Sequence, residues 1–306
     1  MYEVLRALLG PRSAWGLVSR AREKSADLAA RLGDALARCS AATRSCDDRP
    51  IFLLSAGWRS GSTLLQRMLM EHNEDVLIWG EPFERSNIYD GMMDQFRGFT
   101  SQWPPDKYFL SKSRHRNLSE EWIANLYPDV DDLVQAHRQF FDAAFAAPAR
   151  AMGRKVWGIK EVRLTVEHAI YFRALFPQCR IIFLHRNPRD AFLSFRSWNE
   201  AWFHRWPDRI IGTPYAFGRH WARVTRGFLD RHQEIGALML RYDDLDDSAE
   251  VARLGRYVGW EVPRASELRR VDGFLSGNRA VRLPYFDRRL IDYSTGRTWK
   301  DAGYGS

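Results

Sequence analysis

Residues 50–70, PIFLLSAGWRSGSTLLQRMLM, restrict the fold more than any other stretch of the 306-residue chain. Ile51 to Leu54 form a brief apolar run of the kind that makes a buried strand, and Leu65, Met68 and Leu69 recur at the offsets of a helix face. Between them stands Gly57-Trp58-Arg59-Ser60-Gly61-Ser62-Thr63. Two glycines let the backbone fold tightly, so that successive N–H groups and the positive end of the helix, worth roughly half a unit charge, converge on one point. Such a point holds a phosphate-like anion. A plain glycine-serine turn ahead of a helix is the alternative, and a second unit of the same kind decides between them.

That unit is RIIFLHRNPRDAFLSFRSW, residues 180–198. Ile181 to Leu184 read as a strand that ends in His185-Arg186-Asn187-Pro188, and Pro188 is placed to open a helix. Arg186 offers a forked, permanently charged donor set, and the Ser194 hydroxyl follows from the next helix. A solvated loop arginine would need no such partner.

The first loop departs from the nucleotide-triphosphate pattern G-x-x-x-x-G-K-[ST]: one residue fewer separates the glycines, Ser62 stands in the lysine position, and the cation Arg59 precedes Gly61. Arg59-Ser60-Gly61-Ser62-Thr63 resembles instead the 5′-phosphosulfate loop of sulfotransferases that use 3′-phosphoadenosine 5′-phosphosulfate (PAPS). The pattern there is Lys/Arg-Ser-Gly-Thr/Ser-Thr. Arg186 and Ser194, eight positions apart, resemble the 3′-phosphate motif of the same family. The resemblance spans about residues 50–300 and implies the bacterial-type, P-loop sulfotransferase fold, a three-layer α/β sandwich around a parallel sheet related to nucleotide kinases.

Two further strand ends carry chemistry. Asp75 to Trp79 read as a strand running into Gly80-Glu81-Pro82-Phe83, where a carboxylate is fixed between a glycine and a proline and can face the loop. By resemblance to bacterial sulfotransferases and the tyrosine-directed enzymes, Glu81 is the general base; the alternative is a turn carboxylate or helix cap. In KVWGIKEVR, residues 155–163, a short strand exits at Lys160 and Glu161. Lys160 resembles the family lysine that contacts the bridging oxygen of the donor, where a mobile ammonium meets charge appearing as the bond breaks. Glu161 and Arg163 are expected to pair and hold the strand end.

Later segments are less specific. Residues 214–232 read as a long helix with Phe217, Trp221, Val224 and Phe228 inward; Trp221 could alternatively stack on adenine. Arg241-Tyr242-Asp243-Asp244-Leu245 resembles a structural fingerprint of the family. Ser294 to Lys300 resembles a late glycine loop in which Gly296 and Arg297 close over the 3′-phosphate, and Ser276 to Arg279 is a second candidate. Residues 83–116, rich in aromatics and bases, are expected to be a helix followed by a long loop, which either shapes an acceptor pocket or lid or is a plain core-plus-surface pattern. Asp129 to Ala147 read as a helix with Leu133, Phe140, Phe141 and Phe145 inward, closed by Pro148. Strand and helix alternate at lengths that argue a parallel sheet with ligands at the carboxyl ends of the strands.

The balance of 46 basic and 38 acidic residues gives a net charge of +8, which suits an anionic donor but equally acidic glycans, lipid surfaces or nucleic acid. Three cysteines, Cys39, Cys46 and Cys179, have no zinc spacing and fit a reducing compartment or at most one bridge. No run of roughly 18 apolar residues occurs, so a cytoplasmic protein is expected. Residues 1–49 form a basic amphipathic extension ahead of a domain at 50–306; it is expected to pack on its own domain or a second subunit, with a membrane surface as the alternative.

The implied reaction moves a sulfuryl group from PAPS to an acceptor hydroxyl or amine, leaving 3′-phosphoadenosine 5′-phosphate (PAP). Glu81 takes the acceptor proton, Arg59, Ser60 to Thr63 and Lys160 stabilise donor charge, and Arg186 and Ser194 fix the 3′-phosphate. No metal and no nucleic acid are expected. The acceptor, whether small molecule, glycan, lipid or peptide, is not legible. Two rivals are an ATP-dependent kinase, which needs magnesium, and a non-catalytic basic module for acidic polymers.

Overall fold

A computed structural model describes residues 26–83, 86–109, 124–196, 205–206, 209–268 and 282–305. Five strands, β1 (Ile51–Ser55), β2 (Val76–Trp79), β3 (Val156–Glu161), β4 (Arg180–His185) and β5 (Ala237–Arg241), form one sheet in the order β2-β3-β1-β4-β5. Every pairing in it is parallel. The helices of seven or more residues are α1 (residues 26–36), α2 (Ser62–Met70), α3 (Ile88–Asp94), α4 (Val130–Phe141), α5 (Val166–Leu175), α6 (Pro188–Arg196), α7 (Pro214–Arg231), α8 (Ser248–Val258) and α9 (Tyr285–Thr295).

The strands are apolar throughout because helices bury both faces, and successive side chains take opposite sides. Ile51, Leu53, Ile182 and Leu184 pack with Leu65 and Leu69 of α2 and Val251 and Leu254 of α8. Phe52, Ile181 and Phe183 pack with Val134, Phe172, Trp221 and Phe228 of α4, α5 and α7 on the other face. The expected three-layer α/β sandwich with an all-parallel central sheet is thus observed. Ring pairs tie it: Phe52 stacks on Phe172 at 4.1 Å and Phe183 on Phe228 at 3.9 Å. Leu28, Leu32 and Ala35 of α1 are buried in the same core as Phe52, so that stripe is used inside the protein.

Two local expectations are corrected. The helix from Asp129 is not closed by Pro148: α4 passes through a π-helical turn at Asp142–Ala146 into a further helix, Ala147–Ala151. Pro148 lies in the first turn of that last piece, where its missing N–H breaks no bond. Leu133 and Phe140 are only half-buried, and Val134, His137 and Arg138 take the inward positions with Phe141. The tail also contains α9, which runs through Thr295, and a short helix at Arg297–Asp301, so Ser294 to Lys300 is helical on both sides of Gly296. The segments 110–123 and 269–281, which include Ser119 to Glu121 and Ser276 to Arg279, lie outside the described residues.

Two histidines make the fold acid-sensitive. Burial pulls His137 down to about 4, and burial with the nearby Arg241 charge pulls His185 down to about 3. The unfolded chain therefore binds more protons than the folded one as pH falls below about 6.5, and stability present at neutral pH is lost towards pH 4, by up to about 1.4 kcal/mol per pH unit for each histidine. Glutamine at position 137 keeps an acceptor for the Tyr171 hydroxyl, which lies 2.7 Å from His137 Nδ1. Urea melts at pH 7 and pH 4.5 should show a smaller pH-dependent loss for His137→Gln than for the parent.

Candidate active site

Because the strands are parallel, their carboxyl ends fall along one edge, and the residues that follow them face one crevice where the strand order reverses around β1. Reading across the sheet, that edge carries Glu81 after β2, Lys160 at the end of β3, the loop of residues 57–61 after β1, Arg186 after β4 and Tyr242 after β5.

The loop curls tightly. Gly57, Arg59 and Gly61 have φ of 123°, 63° and 93°, and the Ser60 hydroxyl donates to the Gly57 carbonyl at 2.8 Å. Arg59 is a non-glycine residue in the left-handed region, a conformation that persists only where its surroundings impose it. Gly61 caps α2 without a side-chain hydrogen bond, so the first-turn N–H groups are left to meet an anion. Gly61 is also pressed on Tyr242: a Cβ there would lie 2.2 Å from the Tyr242 ring. Gly61→Ala is therefore expected to abolish phosphate-anion binding and to lower the melting temperature by several degrees; calorimetry of both variants checks this.

The loop and the Arg186–Ser194 pair touch. Arg59 Nε donates to Ser194 Oγ at 2.9 Å, and Arg186 Nη1 donates to the Arg59 carbonyl at 3.3 Å. Arg186 lies over the Tyr242 ring at 4.3 Å, while Trp221 Nε1 donates to the Arg186 carbonyl at 3.0 Å. Arg186 Nε is buried with no hydrogen-bond partner among the described residues. Burial, and then the neighbouring Arg186 charge, lower the Arg59 pKa. Two like charges and an orphaned donor held together make a site that gains from a dianion.

On the other side of the loop, Lys160 Nζ lies 2.5 Å from Glu81 Oε1, with Lys160 only 4 % exposed. Beneath it, Arg163 donates twice to the fully buried Glu161 carboxylate, at 3.1 and 2.9 Å, the expected strand-end pair. Burial pushes Glu161 up to about 7 against the pull of Arg163.

Of the residues picked out in the sequence, Arg59, Ser60, Gly61, Ser62 and Thr63 form the loop and helix start, Arg186 and Ser194 adjoin it, and Glu81 meets Lys160. Trp221 does not face the crevice; it is 1 % exposed and holds the Arg186 backbone from behind. Gly296 is the exposed joint between α9 and the helix Arg297–Asp301, and among the described residues no hydrogen bond or ion pair joins Arg297 to residues 57–63 or Arg186. Tyr242, read in the sequence only as part of a structural fingerprint, packs against both Gly61 and Arg186.

A family model for the sulfotransferase family matches residues 50–264. The chain belongs to the sulfotransferase family. The match takes in the loop, Glu81, Lys160, Arg186 and Tyr242, so the crevice belongs to a sulfotransferase catalytic domain. No curated protein matches this sequence. Among solved structures, the sulfotransferase chain is similar to a mouse sulfotransferase complexed with PAP, at 13% identity and TM-score 0.36, covering 78% of this chain and 66% of that one. It is also similar to the sulfotransferase domain of a Synechococcus olefin synthase, at 19% identity and TM-score 0.40, covering 84% of this chain and 90% of that one. A third is the sulfotransferase domain of the curacin biosynthetic pathway, at 16% identity and TM-score 0.38, covering 84% and 92%. Likeness at this level does not bear on the chemistry. No described helix of this sulfotransferase is long and apolar enough to cross a membrane.

Proposed function

We propose that this sulfotransferase transfers a sulfuryl group from PAPS to an acceptor hydroxyl or amine, with a P-loop-like cradle of the bacterial type. The observation that carries the reading is the meeting of Arg59, Ser194 and Arg186 beside the uncapped N-terminus of α2. The fit to a bisphosphorylated nucleotide is chemical: amides and hydroxyls of residues 60–63 suit one phosphate, and the orphaned Arg186 donor suits a second. PAPS supplies an activated sulfate whose leaving group is a phosphate oxygen.

The protein's own part is positioning and charge stabilisation. Glu81 accepts the acceptor proton as the new bond to sulfur forms. Lys160, buried and paired with Glu81, would also meet charge released on the donor side. The Glu161–Arg163 pair fixes the end of β3 and so the direction of Lys160. Tyr242 supports both Gly61 and Arg186, and Trp221 anchors the Arg186 backbone. Gly296 and Arg297, exposed on the tail, would close over the 3′-phosphate from outside the loop.

The test is transfer of labelled sulfate from PAPS to a panel of sugar, lipid, phenol and amine acceptors, run with EDTA and with magnesium-ATP as a competing donor. Turnover with PAPS in EDTA supports the reading. Phosphoryl transfer from magnesium-ATP with none from PAPS makes the protein a kinase, and binding of acidic polymers with no transfer makes it a binding module.

A further inference from the structure

The three most exposed large hydrophobic residues among those described share one helix: Phe286 at 79 %, Tyr293 at 77 % and Tyr285 at 61 %. They belong to α9, far in sequence from the motifs of the crevice. Tyr285, Arg289 and Tyr293 follow at four-residue intervals with Phe286 beside them, so the aromatics fall within an arc of roughly 100° at 3.6 residues per turn. The inward face is fixed by buried Ile291, Ser294 and Thr295, packed closely on α7 at Gly218. The aromatic face is thus an outer ridge of a firmly seated helix.

Its charges are sorted. Asp287 pairs with Arg196, Asp292 with Arg189 at 2.6 Å and Asp301 with Arg226, each bond running back into the protein. Arg282, Arg288, Arg289, Arg297 and Lys300 are exposed and form no ion pair among the described residues. Every acid of residues 282–301 is therefore neutralised inward, while Arg288 and Arg289 share α9 with the three exposed aromatic side chains, of which Tyr293 also stacks on Tyr215 at 6.3 Å.

We infer that α9 is a docking face for an anionic lipid bilayer. Tyrosine and phenylalanine rings on one helix face suit the boundary between headgroups and acyl chains, and flanking arginines suit the negative surface above it. A second copy of the chain is a poorer occupant: a two-fold contact would set the unpaired Arg288 and Arg289 against themselves.

Co-sedimentation of the full chain with vesicles tests this. Vesicles containing 30 % phosphatidylserine should retain the protein, pure phosphatidylcholine vesicles should not, and 0.5 M salt should weaken retention at least about tenfold. The triple variant Tyr285→Ser, Phe286→Ser, Tyr293→Ser should also bind at least about tenfold more weakly, with an unchanged melting temperature because the sites are exposed. Met152→Ser, which removes another exposed apolar side chain, 59 % exposed, should bind like the parent. Equal retention by neutral vesicles, or parent-like binding of the triple variant, overturns the inference. So does a parent dimer in sedimentation velocity that the triple variant dissolves, or preferential capture by an acidic polysaccharide or nucleic acid at the same lipid-phosphate concentration.

Discussion

Replacing Arg186 by alanine is expected to weaken PAP binding by roughly a hundredfold or more, while the fold survives. The side chain is half-buried, its Nε has no partner, and it sits against the Arg59 carbonyl and the Tyr242 ring. A charge-assisted hydrogen bond is worth about 1.5–3 kcal/mol, and a forked guanidinium makes two to a phosphate. Removing it leaves a cavity beside Tyr242 but breaks no buried ion pair, so the melting temperature should move by only a few degrees. Titration calorimetry of parent and variant decides. Affinity for PAP that changes less than about threefold would mean that the charge is solvated and that Arg186 holds no phosphate.

The second large effect concerns Glu81. Glutamine keeps the shape of the side chain and an oxygen for Lys160 Nζ, which lies 2.5 Å away in the parent, but it takes no proton. Glu81→Gln should therefore bind PAP within about twofold of the parent and turn over roughly 10²–10⁴-fold more slowly once an acceptor is in hand. The split is informative. Loss of donor affinity together with rate would assign Glu81 to holding Lys160 in place, and unaltered turnover would leave it a turn carboxylate.

What could be read from the sequence was what depends on neighbours in the chain. The strand-loop-helix at residues 50–70 declares itself because glycine at 57 and 61 and the apolar offsets of α2 are local. Glu81, Lys160 and Arg186 could be assigned to one edge because each follows or ends an apolar strand run, and parallel pairing brings such residues together. Tyr242 was legible only as part of a fingerprint, since its role lies in a contact with Gly61 across the sheet that no spacing encodes. Trp221 shows the converse: its helical offset is satisfied equally by a ring in the core or on adenine, and only tertiary packing makes it the former. Pro148 misled because a π-turn upstream restarts the helix and converts an expected stop into a tolerated first-turn proline. The sorted charges of α9 depend on which acids turn inward, which requires the positions of Arg189, Arg196 and Arg226 on two other helices.

The central claim is that one ligand bridges the loop of residues 57–63 and the Arg186–Ser194 pair. Titrating the parent protein with PAP and, separately, with adenosine 5′-phosphate tests it most directly, because the two differ only in the 3′-phosphate. The account predicts preference for PAP by about a hundredfold or more, on the strength of that added charge-assisted contact. Equal affinity for the two nucleotides, or no binding of PAP at all, would contradict it.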